Sequence, residues 1–440
     1  MERKTTKRGA AEAAADDAIT VFEHDTRASR AHIAPVAKLW RRVDGRLVSD
    51  TRPAASTMAS FRPNWLLQTL RHELFDMFLP AGYPASVSED YLSFQLWDTC
   101  QAMCSYLRGV LATQSVLESV GVGNETITPL AAALQWVLRD GSGMLGGLFF
   151  AYGVGPKFDA NVKFWRLYAD VINDIGLTLD MFAPFFPAYV TEVLCISSVC
   201  KAMCGVAAGA TRSSLTAHFA KNDNMADIAA KEGSQETFVT LCGLLFGMYF
   251  ANAVNHSRTS VWTAFVLLTA VHVVANYKAV TSLRIPTLNR PRAWLAVTHF
   301  RAGRTHRLSI ANINAMEAIL PSRSSGYVIS LGQPLPPTTH LPSLLQLYKN
   351  ENYLVSVDNP TRQVVVSLFV SATPMDELRG YFNAVVVADE LSRGGTDVLA
   401  TAYATTVAQV PAFVETMDSL GWKMQSFPLA AGHVRYSFRH

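Results

Sequence analysis

Two adjacent runs do most to limit what this chain can fold into. Thr237 to Asn255 carries no charged residue over 19 positions, and Thr259 to Tyr277 carries none apart from a histidine. Each reaches the roughly 20 residues that an α-helix needs to cross the hydrocarbon core of a bilayer. Only His256-Ser257-Arg258 separates them, so the pair reads as a tight helical hairpin. The alternative is a hairpin buried in a soluble core. Composition leans toward the bilayer: half of the residues are hydrophobic and 17% are charged, against roughly 25% in an average soluble protein. Lys221 and Lys231 precede the hairpin, and Lys278, Arg284, Arg290, Arg292, Arg301, Arg304 and Arg307 follow it. By the positive-inside rule both flanks, and with them the C-terminal third, face the cytoplasm or its topological equivalent. The expected setting is an intracellular membrane crossed several times.

Periodicity organises the remainder. Residues 1–60 show no sustained pattern and read as a mostly flexible N-terminal region. Trp65 to Leu79 has helical apolar spacing and stops at Pro80. From 61 to 285 the pattern is nearly all apolar helix, with helices expected at about 90–120, 126–152, 160–183, 190–220, 225–254 and 259–282. Residues 286–350 contain several prolines and read as an irregular connector. Residues 351–440 read as a small α+β domain. There "YLVSVD", "QVVVSLFV", "KMQSFPL" and "HVRYSF" are expected as strands, and "PMDELRGYFNAVVVADEL" and "TTVAQVPAFVETMDSLGW" as helices. The expected fold is mainly α: a hydrophobic, membrane-embedded helical bundle followed by an α+β domain.

The bundle carries a repeat. "CQAMC" at 100–104 and "CKAMC" at 200–204 stand one hundred residues apart, and "GMLGGLFFA" at 143–151 follows the first as "GLLFGMYFA" at 243–251 follows the second. Aligning 99–151 on 199–251 without gaps keeps twelve residues in fifty-three, which points to a duplicated three-helix unit, about 90–183 and 190–282. If all three helices of a unit crossed the membrane, the second unit would be inverted, and substrates of proteins so built bind between the repeats. The cysteines then read as small packing residues rather than metal ligands.

Polar residues inside this hydrophobic frame are the candidates for function. Arg166, Asp170 and Asp174 recur at four-residue spacing on "FWRLYADVIND", forming either a buried, ligand-lining stripe or a solvated face. His272 and Asn276 share a face of the second apolar run, where a polar pair is costly unless partnered. Arg139 and Asp140 lie in the glycine-rich "LRDGSGMLGG", a helix break open to a ligand or a tight helix contact. The segment 211–237 is the most polar stretch of the region and contributes Arg212, Asn224, Asp227, Lys231, Gln235 and Glu236. No metal site is expected. A net charge of +3 with no basic cluster argues against nucleic acid, and no P-loop, nucleophile elbow or zinc signature marks an enzyme.

"FLPAGYPASVSEDY", "TPLAAALQWVLRDGSGMLGGLFFA", "GVAAGATRSSLTAHFAKNDNMADIAAKEGSQET" and "HVVANYKAVTSLRIPTLN" resemble the root UVB sensitive family. The resemblance covers about 78–292 strongly and continues more weakly to the C-terminus. It implies links to UV-B response, early seedling development, auxin transport and vitamin B6 homeostasis, with plant members in plastids. It carries over no catalytic residue and no resident cofactor. Where the family shows Lys-Asp in the last loop, this chain has Lys231-Glu232. Three expectations result: a membrane protein that binds or moves a small polar metabolite, with a B6 vitamer as the possible ligand; a scaffold whose α+β domain docks a family member or another protein; and, least supported by its residues, an enzyme acting on a B6-type cofactor.

Overall fold

The computed structural model describes residues 18–23, 36–43, 46–49, 63–121, 129–320, 326–336 and 340–437. They fall into two compact units, Met1–Ser88 with Ala220–Gln235, and Glu89–Phe219 with Glu236–His440. The first unit holds an antiparallel three-stranded sheet of β1 (Ala18–Glu23), β2 (Val36–Val43) and β3 (Arg46–Ser49), in which Ala18 faces Arg41 and Val43 faces Arg46. These strands lie within the stretch expected to be mostly flexible. The strands contain Val, Leu and Ile, residues that favour pairing, but β2 interrupts alternation with Leu39-Trp40 and Arg41-Arg42. The rest of 1–60 lies outside the described residues. Helix α1 (Pro63–Phe78) follows.

The second unit opens with six helices: α2 (Tyr91–Ser119), α3 (Pro129–Val154), α4 (Val162–Phe182), α5 (Val190–Phe219), α6 (Met225–Val254, whose first residues belong to the first unit) and α7 (Arg258–Ser282). They match the expected helices to within three residues at every end. The turn before α7 is set by a capping box: the Ser257 hydroxyl accepts from Ser260 N–H, and the Ser260 hydroxyl accepts from Ser257 N–H, both at 3.1 Å.

The two copies exchange partners. Helix α5 packs against α4 and α3, while α2 packs against α7 and α4. Glycines make the second helix of each copy fit the first helix of the other. A Cβ on Gly146 of α3 would lie 2.6 Å from the Val199 side chain of α5, and a Cβ on Gly243 of α6 would lie 2.5 Å from the Tyr106 ring of α2. Such contacts need a bare backbone. Gly146→Leu and Gly243→Leu are each expected to destabilise the protein by about 1–3 kcal/mol. Gly205→Ala, with nothing within 4 Å of its Cβ position, should instead stabilise α5 by about 0.5–1 kcal/mol. Thermal unfolding of the purified variants measures all three, and equal effects at tight and open positions would contradict the exchange.

The outside of this bundle is apolar. Leu134, Val137, Leu148 and Phe149 of α3, Leu245, Phe246 and Tyr249 of α6, and Val266, Leu267 and Val274 of α7 are each more than half exposed. Among the described residues three helical runs, Pro187–Phe219, Met225–Val254 and Arg258–Ser282, are long and apolar enough to cross a membrane, yet only 17–22% of their most apolar windows is buried within the protein.

The C-terminal domain has a hydrophobic core of its own, and that core starts earlier than expected. The segment read as an irregular connector contains α8 (Arg290–Arg301), α9 (Ile310–Met316), β4 (Val328–Leu331) and α10 (Leu341–Leu347). Leu288, Ala293, Val297, Leu308 and Ile313 join Val355, Val364, Phe382, Phe413 and Trp422 in one cluster. The prolines misled because several fall where they are tolerated: Pro291 and Pro342 sit in the first turns of α8 and α10. Strands β5 (Tyr353–Asp358) and β6 (Gln363–Phe369) form an antiparallel hairpin. Parallel β4 and the short β7 (Arg435–Tyr436) share the other edge of β6, α11 (Pro374–Ser392) packs on the sheet, and α12 (Val398–Ser419) packs against α11. "KMQSFPL" is not a strand. Its Met424, Phe427 and Leu429 fill the core, and its first backbone N–H reaches the Pro286 carbonyl at 2.9 Å rather than a ladder partner.

A buried ionic cluster joins this domain to the bundle. Glu317 accepts from Arg292 Nη1 at 2.9 and 3.0 Å and from Asn289 at 2.9 Å, and it pairs with Lys163 of α4 at 2.9 Å. Nearby, Asn314 clasps Ile285 through both backbone groups, at 3.1 and 3.0 Å. Burial alone would raise the Glu317 pKa, but Arg292 and Lys163 outweigh it and hold the carboxyl below its ordinary value.

Candidate functional site

Helix α4 is the hub of the bundle interior. Its charged residues Lys163, Arg166, Asp170 and Asp174 stand three or four residues apart, hence on one face, and Asp180 follows six residues after Asp174. That face is turned inward, toward α2, α5 and α7. Arg166 Nη2 donates to Asp98 of α2 at 2.6 Å, and Asp98 also accepts from Gln101 at 3.1 Å. One turn on, Asp170 accepts from Asn276 of α7. Asp174 then accepts from Arg108 Nη1 of α2 at 2.6 Å and lies 3.1 Å from His272 Nδ1 of α7. Arg108 Nη1 also reaches the Thr269 hydroxyl at 3.3 Å. At the far end Asp180 pairs with Lys201 of α5.

The centre of this ladder is enclosed by the protein. The side chains of Arg108 and His272 are 0% and 1% exposed, and that of Asp174 is 9%. In a low-dielectric interior a carboxylate needs such neighbours, because an unpaired buried charge costs several kcal/mol. The pairing is incomplete, at Asp180 Oδ1 near the far end and at two residues of the centre. Arg108 Nε and Nη2 and His272 Nε2 are buried without a hydrogen-bond partner among the described residues. The molecule is thus apolar outside and ionic inside, with donor capacity left over at its middle.

The structure gathers five of the residues expected from sequence, Arg166, Asp170, Asp174, His272 and Asn276, into this network. It separates the others. Arg139 stacks its guanidinium over the Trp136 ring at 4.6 Å, and Asp140 is exposed, on an α3 that runs unbroken through the glycines. Arg212 and Glu236 form a solvent-facing ion pair at 2.8 Å. In the first unit Lys231 donates to the Asp76 carbonyl, Gln235 to the Phe78 carbonyl at 2.6 Å, and Asp227 accepts from Ala81 N–H at 2.7 Å. These bonds occupy the orphan carbonyls and the exit of α1, a capping role. Asn224 precedes α6 and accepts from Asn222 N–H at 3.4 Å.

Sequence reasoning missed Asp98, Arg108, Asp180, Lys201 and Thr269 as members. One signal was present: position 101/201 is the polar place that differs between the two pentapeptides. Gln101 serves Asp98 and Lys201 serves Asp180, so each copy uses that place to reach a carboxylate of the ladder. Arg108 has no such echo, because its counterpart is Ala208. The cysteines are free thiols, with Cys104 and Cys200 buried in helix contacts.

Comparison with known proteins places the whole architecture. Residues 64–303 match the vitamin B6 photo-protection and homoeostasis domain, and residues 306–437 match the root UVB sensitive protein C-terminal domain. The chain is 36% identical to protein root UVB sensitive 3 of Arabidopsis thaliana over 393 residues, covering 85% of this chain and 88% of that one. It is 42% identical to RUS family member 1 of Dictyostelium discoideum over 250 residues, covering 56% and 47%. It is 29% identical to the chloroplastic protein root UVB sensitive 2 of Arabidopsis thaliana, covering 78% and 76%. No solved structure matches the chain. With both domain models matched in order along almost the full described length, this chain belongs to the root UVB sensitive family.

Proposed function

We propose that this is a multi-pass membrane protein of vitamin B6 homeostasis and light response, which binds and passes a small polar metabolite through the ladder on α4. The carrying observation is the inversion of polarity: ordinary soluble domains do not expose long rows of Leu, Phe and Val while burying Arg108, Asp174 and His272. In a bilayer the same arrangement is the favoured one, since intramembrane charges face a protein interior and pair. Helices α5, α6 and α7 cross, and α2 and α4 supply the polar interior. Asp140, exposed midway along α3, is set apart from this scheme, because a carboxylate against acyl chains costs about 2.5–3.5 kcal/mol.

The ends of α5 and α7 come together where Asp90 accepts from His218 at 2.9 Å and from Arg284 N–H at 2.6 Å. The C-terminal domain follows from that end. Lys221, Lys278 and Arg284 lie near it, against Arg258 alone in the α6–α7 turn, so the domain faces the cytoplasmic side. Arg290, Arg292 and Arg301 drop out of this count because they are engaged in domain packing. The ladder carries no group poised for covalent chemistry in this reading.

The test is uptake of labelled pyridoxal 5′-phosphate, beside pyridoxal and pyridoxine, into liposomes holding the purified full chain. Wild-type protein and Arg139→Ala should accumulate label alike, while Asp170→Ala should lose most of it. Uptake equal to empty liposomes, or uptake indifferent to Asp170, would overturn the proposal.

A further inference from the structure

The unpartnered nitrogens of Arg108 are not a random pair. A guanidinium has two edges that can grip a carboxylate or phosphate with parallel hydrogen bonds, and one of them is made by Nε–H and the adjacent Nη2–H. Arg108 spends Nη1 on Asp174 and Thr269. It leaves both members of the Nε/Nη2 edge without a partner among the described residues, with its side chain 0% exposed. A residue needed only to neutralise Asp174 has no use for that second edge. Leaving charged donors unpaired in an enclosed interior costs more than leaving neutral ones so. A neighbouring group repeats the pattern: His272 turns Nδ1 to the same carboxylate and has an unpartnered, buried Nε2.

We infer that the Nε/Nη2 edge of Arg108 is the docking point for an anionic group of the metabolite, a carboxylate or a phosphate monoester. The inference deepens the reading of the ladder as a ligand site and rests on it. A cationic ligand is disfavoured at this point by Arg108 itself, and a lone neutral carbonyl would use one of the two parallel donors. Asp174 keeps the empty site close to neutral, and Thr269 helps hold the guanidinium plane.

The test uses the detergent-solubilised full chain, titrated at constant ionic strength with inorganic phosphate and, separately, with acetate. Heat release and the thermal unfolding midpoint are read together. The expected result is saturable binding of at least one ion, with a raised midpoint, and which ion wins names the source of the charge. Arg108→Lys keeps a cation beside Asp174 but lacks the planar edge, and should weaken that ion's affinity at least about tenfold. Asp174→Asn leaves the guanidinium uncompensated, so the ion should raise its midpoint further than it raises that of wild type. A purely structural Arg108 would give lower midpoints in both variants with no ion-dependent difference, and that result overturns the inference. So does the absence of saturable binding of either ion to folded wild-type protein, which would mean the edge holds only water. Resistance of the protein to alkaline extraction from membranes, with no ion effect, sinks this inference alone; vitamer uptake failing while an ion binds sinks the transport reading and leaves the anion site standing.

Discussion

Asp174→Ala is expected to destabilise the protein by about 3–5 kcal/mol, the usual range when one member of a buried ion pair is removed. The substitution strands Arg108, whose side chain is fully enclosed and whose only other acceptor among the described residues is the Thr269 hydroxyl, and it takes the partner from His272. Most of the loss is the cost of an uncompensated cation rather than the worth of the pair. The double variant Arg108→Met with Asp174→Ala should therefore recover much of the stability lost by Asp174→Ala alone. Circular dichroism melts of the four proteins in one detergent close the cycle. Additive losses would mean that the two side chains do not meet.

Glu317→Ala should be of similar size, about 3–5 kcal/mol, because it leaves two enclosed cations, Lys163 and Arg292, with no carboxylate between them. It should also loosen the C-terminal domain from the bundle, read as new protease cleavage near 285–290. Glu317→Gln keeps the shape and should cost less. The pH dependence has a definite sign. The carboxyl is held below its ordinary value of 4.5 in the folded protein. Its contribution is therefore fully present above the unfolded pKa and is lost as pH falls through the lower folded one. The wild-type junction should outlast ordinary glutamates in acid, whereas the Glu317→Gln junction should show no such acid step.

Much of the helical part is legible in the sequence, because a helix that is apolar nearly all round shows its ends by what interrupts it. Ser257 before α7 and Asn224 before α6 mark starts, and Pro80 marks a stop. The stripe on α4 is legible for the same reason: Arg166, Asp170 and Asp174 keep helical spacing in an apolar context. Its partners are not, since Asp98 and Arg108 lie some 60 or more positions earlier and only helix pairing brings them near. The 211–237 segment is polar for a local reason, capping α1 and pairing Arg212 with Glu236, and polarity alone does not distinguish capping from ligand binding. The C-terminal core is misjudged at its start because α8 and α9 are short and carry Arg and Asn on faces that turn out to be buried. Their burial depends on Glu317 and Ile285, neither of which declares itself as a partner in sequence.

The central claim, that the apolar exterior faces lipid while the ladder on α4 faces inward, is tested most directly by extracting membranes containing the full chain with alkaline carbonate. The protein should stay in the pelleted bilayer, and Leu245→Glu with Leu267→Glu, placed on the exposed faces of α6 and α7, should stop that retention while leaving the interior pairs untouched. Release of the wild-type chain into the soluble fraction would contradict the account.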